Sequence, residues 1–327
     1  MLMLAAQMTA SAELATAAIE IAERTASERI LASAHVTRGT AREDVADIQR
    51  GIELAERTRD LRQLFRGLNN MAEHLIRSGD IEGTRPIYER FLRETVQVGW
   101  AGQILWVRAQ ESSVRFVAGD WDDALATVDA LIAEIESGSP HYLESDIRST
   151  RAWIRHARGD TPGAIADAER AVGVARESKD PQAILPALGK AADVYAREGR
   201  LDLARAAIDE ALAVARPLER HYYSEAMSLL WATLDLGLST ELIEIFDRGG
   251  DTDLWTEAAI AAWRGDLATA AAVFERFGAP SFEAEIRIRL AQRDGDQNEL
   301  QRALAFFRSV GATRRVRDAE ALLAATA

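Results

Sequence analysis

Apolar residues recur along this chain at spacings of three and four, the period of one face of an α-helix, and no strand is expected. The apolar stripes are interrupted by short turn signals in register. Gly39-Thr40, Gly79-Asp80, Gly119-Asp120, Gly159-Asp160 and Gly199-Arg200 each follow the last at an interval of 40 residues. Five, nine and twelve residues beyond the glycine stand Ala124, Val128 and Leu131, then Ala164, Ala168 and Ala171, then Ala204, Ile208 and Ala211; Thr84, Tyr88 and Phe91 take the same places after Gly79. A small first member lets a neighbouring helix approach closely. A second stripe precedes the glycine, with Leu188, Ala191, Ala192 and Tyr195 before Gly199 and Leu68, Met71, Ala72 and Leu75 before Gly79. Each unit is therefore a first helix, a tight turn and a second helix.

The turn chemistry agrees with that reading. Glycine suits the left-handed residue that ends a helix, and Asp80, Asp120, Asp160 and Asp266 suit the cap that opens the next. Thr40 with Glu43 has the spacing of a capping box. Pro162 suits a first turn, and Ser139-Pro140 and Asp180-Pro181 mark starts of first helices, while Pro186 falls where a bend is expected. After Gly199 the rhythm shortens: Gly237, Gly265 and Gly295 follow at 38, 28 and 30 residues, with loop signals at Gly249-Gly250-Asp251 and Gly278-Ala279-Pro280. Thr313 to Ala325 is a single closing helix, the cap that the end of a repeat stack needs. The expected architecture is all-α, a superhelical solenoid of antiparallel helix hairpins, about eight pairs and a capping helix. Residues 1–218 carry the regular 40-residue repeats, and 219–327 carry shorter irregular repeats continuous with them.

These units resemble the tetratricopeptide repeat, best at Leu188–Ala211, although a period of 40 exceeds the usual 34 and implies longer helices. The phrases Gly138-Ser139-Pro140-His141-Tyr142-Leu143-Glu144, Ala166-Asp167-Ala168-Glu169-Arg170-Ala171 and Phe306-Phe307-Arg308-Ser309-Val310-Gly311-Ala312-Thr313 resemble the C-terminal helical region of bacterial cyclase and regulatory-ATPase (STAND-type) signalling proteins. That resemblance implies a sensor or docking segment, with a cyclase or ATPase module as partner and the chemistry upstream. No phosphate loop is present, since Gly189-Lys190 has Ile184 where the first glycine belongs and Ala191 where a hydroxyl is needed. The chain is expected to be a stand-alone repeat protein or a fragment of a longer ancestor.

Composition narrows the partners. A formal charge of −13 and no Lys/Arg-rich run argue against direct nucleic-acid binding. Cysteine is absent, which excludes disulfides and thiolate sites. The apolar start, Met1 to Ala6, lacks a basic flank and is too short to cross a membrane, so a cytoplasmic location is expected. His221 and Glu225 lie four apart, a spacing that a surface helix pair explains better than two metal ligands. Adjacent carboxylates such as Asp122-Asp123 point to different helix faces. No catalytic set, metal or cofactor is expected.

A binding site is expected instead on the concave face, where first-helix side chains opposite the packing stripe point into the groove. Positions ten and six before each glycine give Asn69 and Glu73, Ala109 and Ser113, Ser149 and Trp153, Gly189 and Asp193; one turn either side adds Arg66, Trp106, Phe116, Asp146 and His156. Trp106 and Trp153 would be the aromatic anchors, although both could instead fill space between repeats. Tyr222, Tyr223, Trp231, Trp255 and Trp263 are assigned to packing. The occupant would be a protein or peptide segment; a small molecule sensed on behalf of a cyclase or ATPase is the alternative.

Overall fold

A computed structural model describes residues 8–218, 221–247 and 253–326. The apolar start at Met1–Ala6 and the loop signal at Gly249–Asp251 lie outside them. Among the described residues there are eighteen helices and no strand. No helix there is long and apolar enough to cross a membrane. Two compact units are present, Met1–Ile104 and Leu105–Ala327.

The first unit contains α1 (Met8–Arg24), α2 (Glu28–Arg42), α3 (Val45–Arg57), α4 (Leu61–Arg77) and α5 (Ile81–Val98), and α6 (Ala101–Ala118) begins at its boundary. The second continues with α7 (Trp121–Glu136), α8 (Glu144–Arg158), α9 (Thr161–Ser178), α10 (Pro181–Arg197) and α11 (Leu201–Ala215). Shorter helices follow: α12 (Tyr223–Asp235), α13 (Ser239–Phe246), α14 (Leu254–Trp263) and α15 (Leu267–Arg276). The end is α16 (Pro280–Asp294), α17 (Gln297–Ser309) and α18 (Thr313–Thr326).

The turns repeat one geometry. Gly159 has φ +93° and donates its N–H to the His156 carbonyl, while Asp160 N–H reaches the Arg155 carbonyl at 2.9 Å. Gly79, Gly119, Gly199 and Gly265 close the same pair of bonds, so orphan carbonyls at the helix end are satisfied. Asp80, Asp160 and Asp266 then cap the next helix by accepting from Gly83, Gly163 and Thr269 N–H. Asp120 stands at the same place without that side-chain cap. The twelve second-helix positions read from the sequence, Thr84 to Ala211, are each at most 2 % exposed.

Two turn expectations are corrected. Gly39 lies inside α2, not in a turn: a Cβ there would stand 2.6 Å from Ile48 N of α3, so the glycine serves a close helix crossing. The left-handed residue is Glu43 at φ 58°, and Asp44, not Thr40, caps α3. Thr40 Oγ1 instead donates to the Val36 carbonyl. The start expected at Ser139-Pro140 is also displaced, because α8 begins only at Glu144, after a turn in which His141 Nδ1 accepts from Leu143 N–H.

Neighbouring hairpins of the second unit are joined by buried arginines. Arg148 of α8 pairs with Glu144 at 2.8 Å and Glu136 at 2.9 Å; Arg287 of α16 repeats the device with Glu283 and Glu275 at 2.6 and 2.8 Å. The closing helix expected from Thr313 is present as α18. Besides covering α17 it reaches back to α8, where Thr313 Oγ1 donates to the Arg158 carbonyl, while Arg158 Nη2 donates to the Val310 carbonyl at the end of α17. Trp121 Nε1 of α7 likewise donates to Ser281 Oγ of α16 at 2.8 Å. The second unit therefore closes on itself, its last helices against its first.

Ala204 is fully buried in α11. Ala204→Leu is expected to overpack that helix joint and cost about 1–3 kcal/mol. A denaturant midpoint unchanged from wild type would refute the face assignment.

Candidate functional site

The first helices α6, α8 and α10 of the second unit carry most of the expected site residues, and an ionic ladder ties them together. Asp146 of α8 accepts from Ser113 Oγ of α6 at 3.0 Å and from Lys190 Nζ of α10 at 2.7 Å. The Lys190 ammonium in turn lies 5.5 Å from the centre of the Trp153 ring, within range of a cation–π contact. Burial would raise the Asp146 carboxyl, but Lys190 and the Ser113 hydroxyl outweigh it and hold it below its ordinary range. Trp153 is half-buried, with Phe116 at 5.8 Å and Phe282 at 6.3 Å between ring centres. Its buried indole N–H has no hydrogen-bond partner.

At one end of this strip Trp106 stacks on Tyr142, the ring centres 6.1 Å apart and the planes within 11°. His141 meets the indole edge-on at 6.2 Å. Tyr142 is 44 % exposed, and its hydroxyl donates to Asp180 Oδ2 at 2.8 Å. These rings sit ahead of α8 because the turn before Glu144 delays the helix start.

The remaining expected residues are placed differently. Ser149 and His156 are buried in α8, and Asp193 is buried in α10. A Cβ on Gly189 would lie 2.5 Å from the Ser228 carbonyl, so the next first helix, α12, covers that position. Arg66, Asn69 and Glu73 lie in α4 of the first unit, all half-buried. Arg66 donates to Thr37 Oγ1 at 2.8 Å, and burial lowers its pKa.

Trp153 lines a small, half-open cavity of the second unit together with Phe116, Trp121, Trp231 and Phe282, with Asp193, Arg197, Glu285 and Arg315 at its polar side. Its volume is about 30 Å³, room for two or three waters at roughly 10–15 Å³ each. The charges form one chain. Arg197 Nε donates to Asp193 at 2.6 Å and Arg197 Nη2 to Glu285 at 2.9 Å; Arg315 Nε reaches Glu285 at 2.7 Å. Arg289 adds a contact to Glu285 at 3.2 Å and lies 5.1 Å from the Trp231 ring centre. Burial pushes the Asp193 carboxyl up against the pull of Arg197. Burial would raise Glu285 too, but Arg197, Arg315 and Arg289 outweigh it and hold the carboxyl far below its ordinary range.

The sequence reading missed Arg197, Glu285, Arg289 and Arg315, and left Trp231 to packing alone. Trp231, Trp255 and Trp263 are indeed core residues, but Trp231 also walls the cavity. The His221–Glu225 pair is corrected too. It is buried, not on the surface: Nδ1 lies 3.1 Å from Oε2, and Glu225 also accepts from Tyr222 N–H, closing the start of α12. Among the described residues no group of three or more His, Asp or Glu is placed to hold a metal ion.

No protein-family profile and no curated protein sequence matches this chain. Among solved structures it is similar to a Rap protein complexed with competence and sporulation factor, at 16 % identity and TM-score 0.52 over 91 % of this chain and 77 % of that one. The likeness is one of fold. The tetratricopeptide-repeat domain of P58(IPK) aligns with 99 % of this chain and 96 % of its own at 14 % identity, but its TM-score of 0.26 is too low to bear on the fold.

Proposed function

We propose that this chain is a non-catalytic helical-repeat scaffold that binds a protein or peptide segment, serving as a regulatory or sensor module of bacterial signal transduction with a cyclase or ATPase as partner. The observation that carries the reading is the ladder from Ser113 through Asp146 and Lys190 to Trp153, spanning three successive first helices. It presents a half-buried carboxylate, an ammonium and a half-buried indole ring within one strip, with the Trp106–Tyr142 stack as an aromatic shelf at its end. An extended segment presents carbonyls and side chains at intervals that such a strip can meet, and aromatic anchors of this kind carry much of the energy in protein interfaces. The Rap protein, similar in fold, has been crystallised with a bound factor, which adds support. A metabolite has less support, because the cavity holds only two or three waters.

A displayed library of random twelve-residue peptides, selected on the purified chain, tests this. Enriched peptides are expected to bind Trp153→Ala at least tenfold more weakly, since a buried aromatic anchor contributes about 2 kcal/mol or more. Melting of the variant checks that the fold persists. Peptides that bind wild type and variant equally, or no enrichment at all, would sink the reading.

A further inference from the structure

The last helix is held to its own unit by arginine ion pairs as well as by apolar contacts, with Ala319 buried in a core cluster on which Val316, Leu322 and Leu323 also pack. Arg314 donates to Thr161 Oγ1 at 2.8 Å and to the Arg197 carbonyl at 3.4 Å, and pairs with Glu198. Arg315, only 6 % exposed, donates to Glu285. Val316, the next residue, packs against the apolar cluster that contains Ile154 and Ala157 of α8. Two neighbouring guanidinium groups thus reach one carboxylate that caps the end of α10 and another on α16, with an aliphatic residue beside them.

Buried ion pairs are a poor way to fix a helix for good, since apolar residues of the same volume often stabilise a fold more. They are a good way to specify a partner. The receiving carboxylates are moreover provided for when α18 is away. Glu198 keeps His156 Nε2 at 2.8 Å, and Glu285 keeps Arg197 and Arg289. Departure of α18 therefore strands no buried carboxylate, and the charge of −13 draws cationic segments toward the chain.

We propose that the face formed by α8, α10 and α16 is a docking site for an arginine-bearing amphipathic helix, occupied in cis by α18 and open to a partner helix of the same chemistry when α18 leaves. The partner motif is two adjacent arginines followed by an aliphatic residue, as in Arg314-Arg315-Val316. The face adjoins the Ser113–Trp153 ladder, since Trp153, Arg197, Glu285 and Arg315 line one cavity, and the two readings are told apart by readout: selected peptides lost on Trp153→Ala report on the ladder, and binding of the α18 peptide to an arginine-deleted chain reports on this face.

Hydrogen exchange on the full chain is the first measurement. Amides of 313–326 are expected to exchange through local opening, well before those of α10, and faster still as salt screens the ion pairs. The second uses a fluorescent peptide of residues 311–327, titrated against the wild-type chain and against Arg314→Ala/Arg315→Ala. The variant, whose own helix no longer competes, is expected to bind it about tenfold or more tightly than wild type. A peptide carrying the same two alanines is expected not to bind. Protection of α18 equal to that of α10 at every salt concentration would overturn the proposal. So would a well-folded variant that ignores the peptide. If the variant unfolds, the exchange pattern of the wild-type chain decides alone.

Discussion

Arg197→Met is expected to lower the stability of the Leu105–Ala327 unit by about 3–5 kcal/mol, the usual cost of removing one partner from a buried ion pair. Methionine keeps much of the length and the apolar stem, so the loss isolates the guanidinium. Asp193, 3 % exposed, would lose the donor 2.6 Å away, and burial already pushes its carboxyl up. Glu285 would keep Arg315 and Arg289, so Asp193 is where the charge is stranded. The double variant Asp193→Leu/Arg197→Met is therefore expected to recover most of the loss, because two apolar side chains replace the pair. Denaturant midpoints of the two variants check this. A single-variant cost below about 1 kcal/mol, typical of solvent-exposed pairs, would mean that water screens the network.

The same network marks where sequence reasoning stopped. Helix and turn positions were legible because they are local: a glycine at φ +93°, an aspartate one residue on, and small residues at fixed offsets all belong to one hairpin. Gly39 misled because glycine has two uses. In α2 it lets Ile48 of the next helix approach, and nothing in the register distinguishes that from a left-handed turn. The residues expected to line a groove show a related limit. Ser113, Asp146 and Trp153 do align across successive first helices, but the rule that placed them also chose Ser149 and Gly189, which pack where one first helix meets the next. A solitary hairpin would leave those positions open; stacking covers them.

The ionic cluster had no local signal at all. In α16 the charges Glu283, Glu285, Arg287 and Arg289 alternate with apolar residues, which on a helix spreads charge over every face and suggests solvent. Arg287 is buried all the same and Glu285 mostly covered, because α16 is surrounded. Arg197 and Glu285 are 88 residues apart, and Arg314 and the Arg197 carbonyl 117. Only closure of the second unit on itself brings them together, and no periodicity of 40 encodes that.

Acid is expected to weaken this closure before most carboxylates titrate, and His156 is the reason. It is 1 % exposed in α8, with Nε2 2.8 Å from Glu198 Oε1. Burial lowers its pKa to about 4 from an ordinary 6.5, and Arg315, Arg197 and Arg314 push the same way while Glu198 opposes them. A folded-state pKa below the unfolded one means that the unfolded chain takes the proton first. The contribution is therefore complete above about pH 6.5 and is lost as the pH falls from there toward 4. At about 1.4 kcal/mol per pH unit, some 2 kcal/mol should go between pH 6.5 and 5. Asp193 and Glu225, whose carboxyls burial pushes up, act in the opposite sense, so the wild-type curve alone does not isolate the histidine. His156→Gln does: the amide can still donate to Glu198 but takes no proton, and its stability should fall about 2 kcal/mol less over the same interval. Two of the three arginines facing His156 belong to α18, so a protonated imidazole repels that helix in particular. Hydrogen exchange at pH 5, corrected for intrinsic rates, should show α18 losing protection more than α9 or α11, and His156→Gln should abolish the difference. Parallel stability curves for wild type and variant would mean that His156 titrates as it does in water, and that α18 does not seal it.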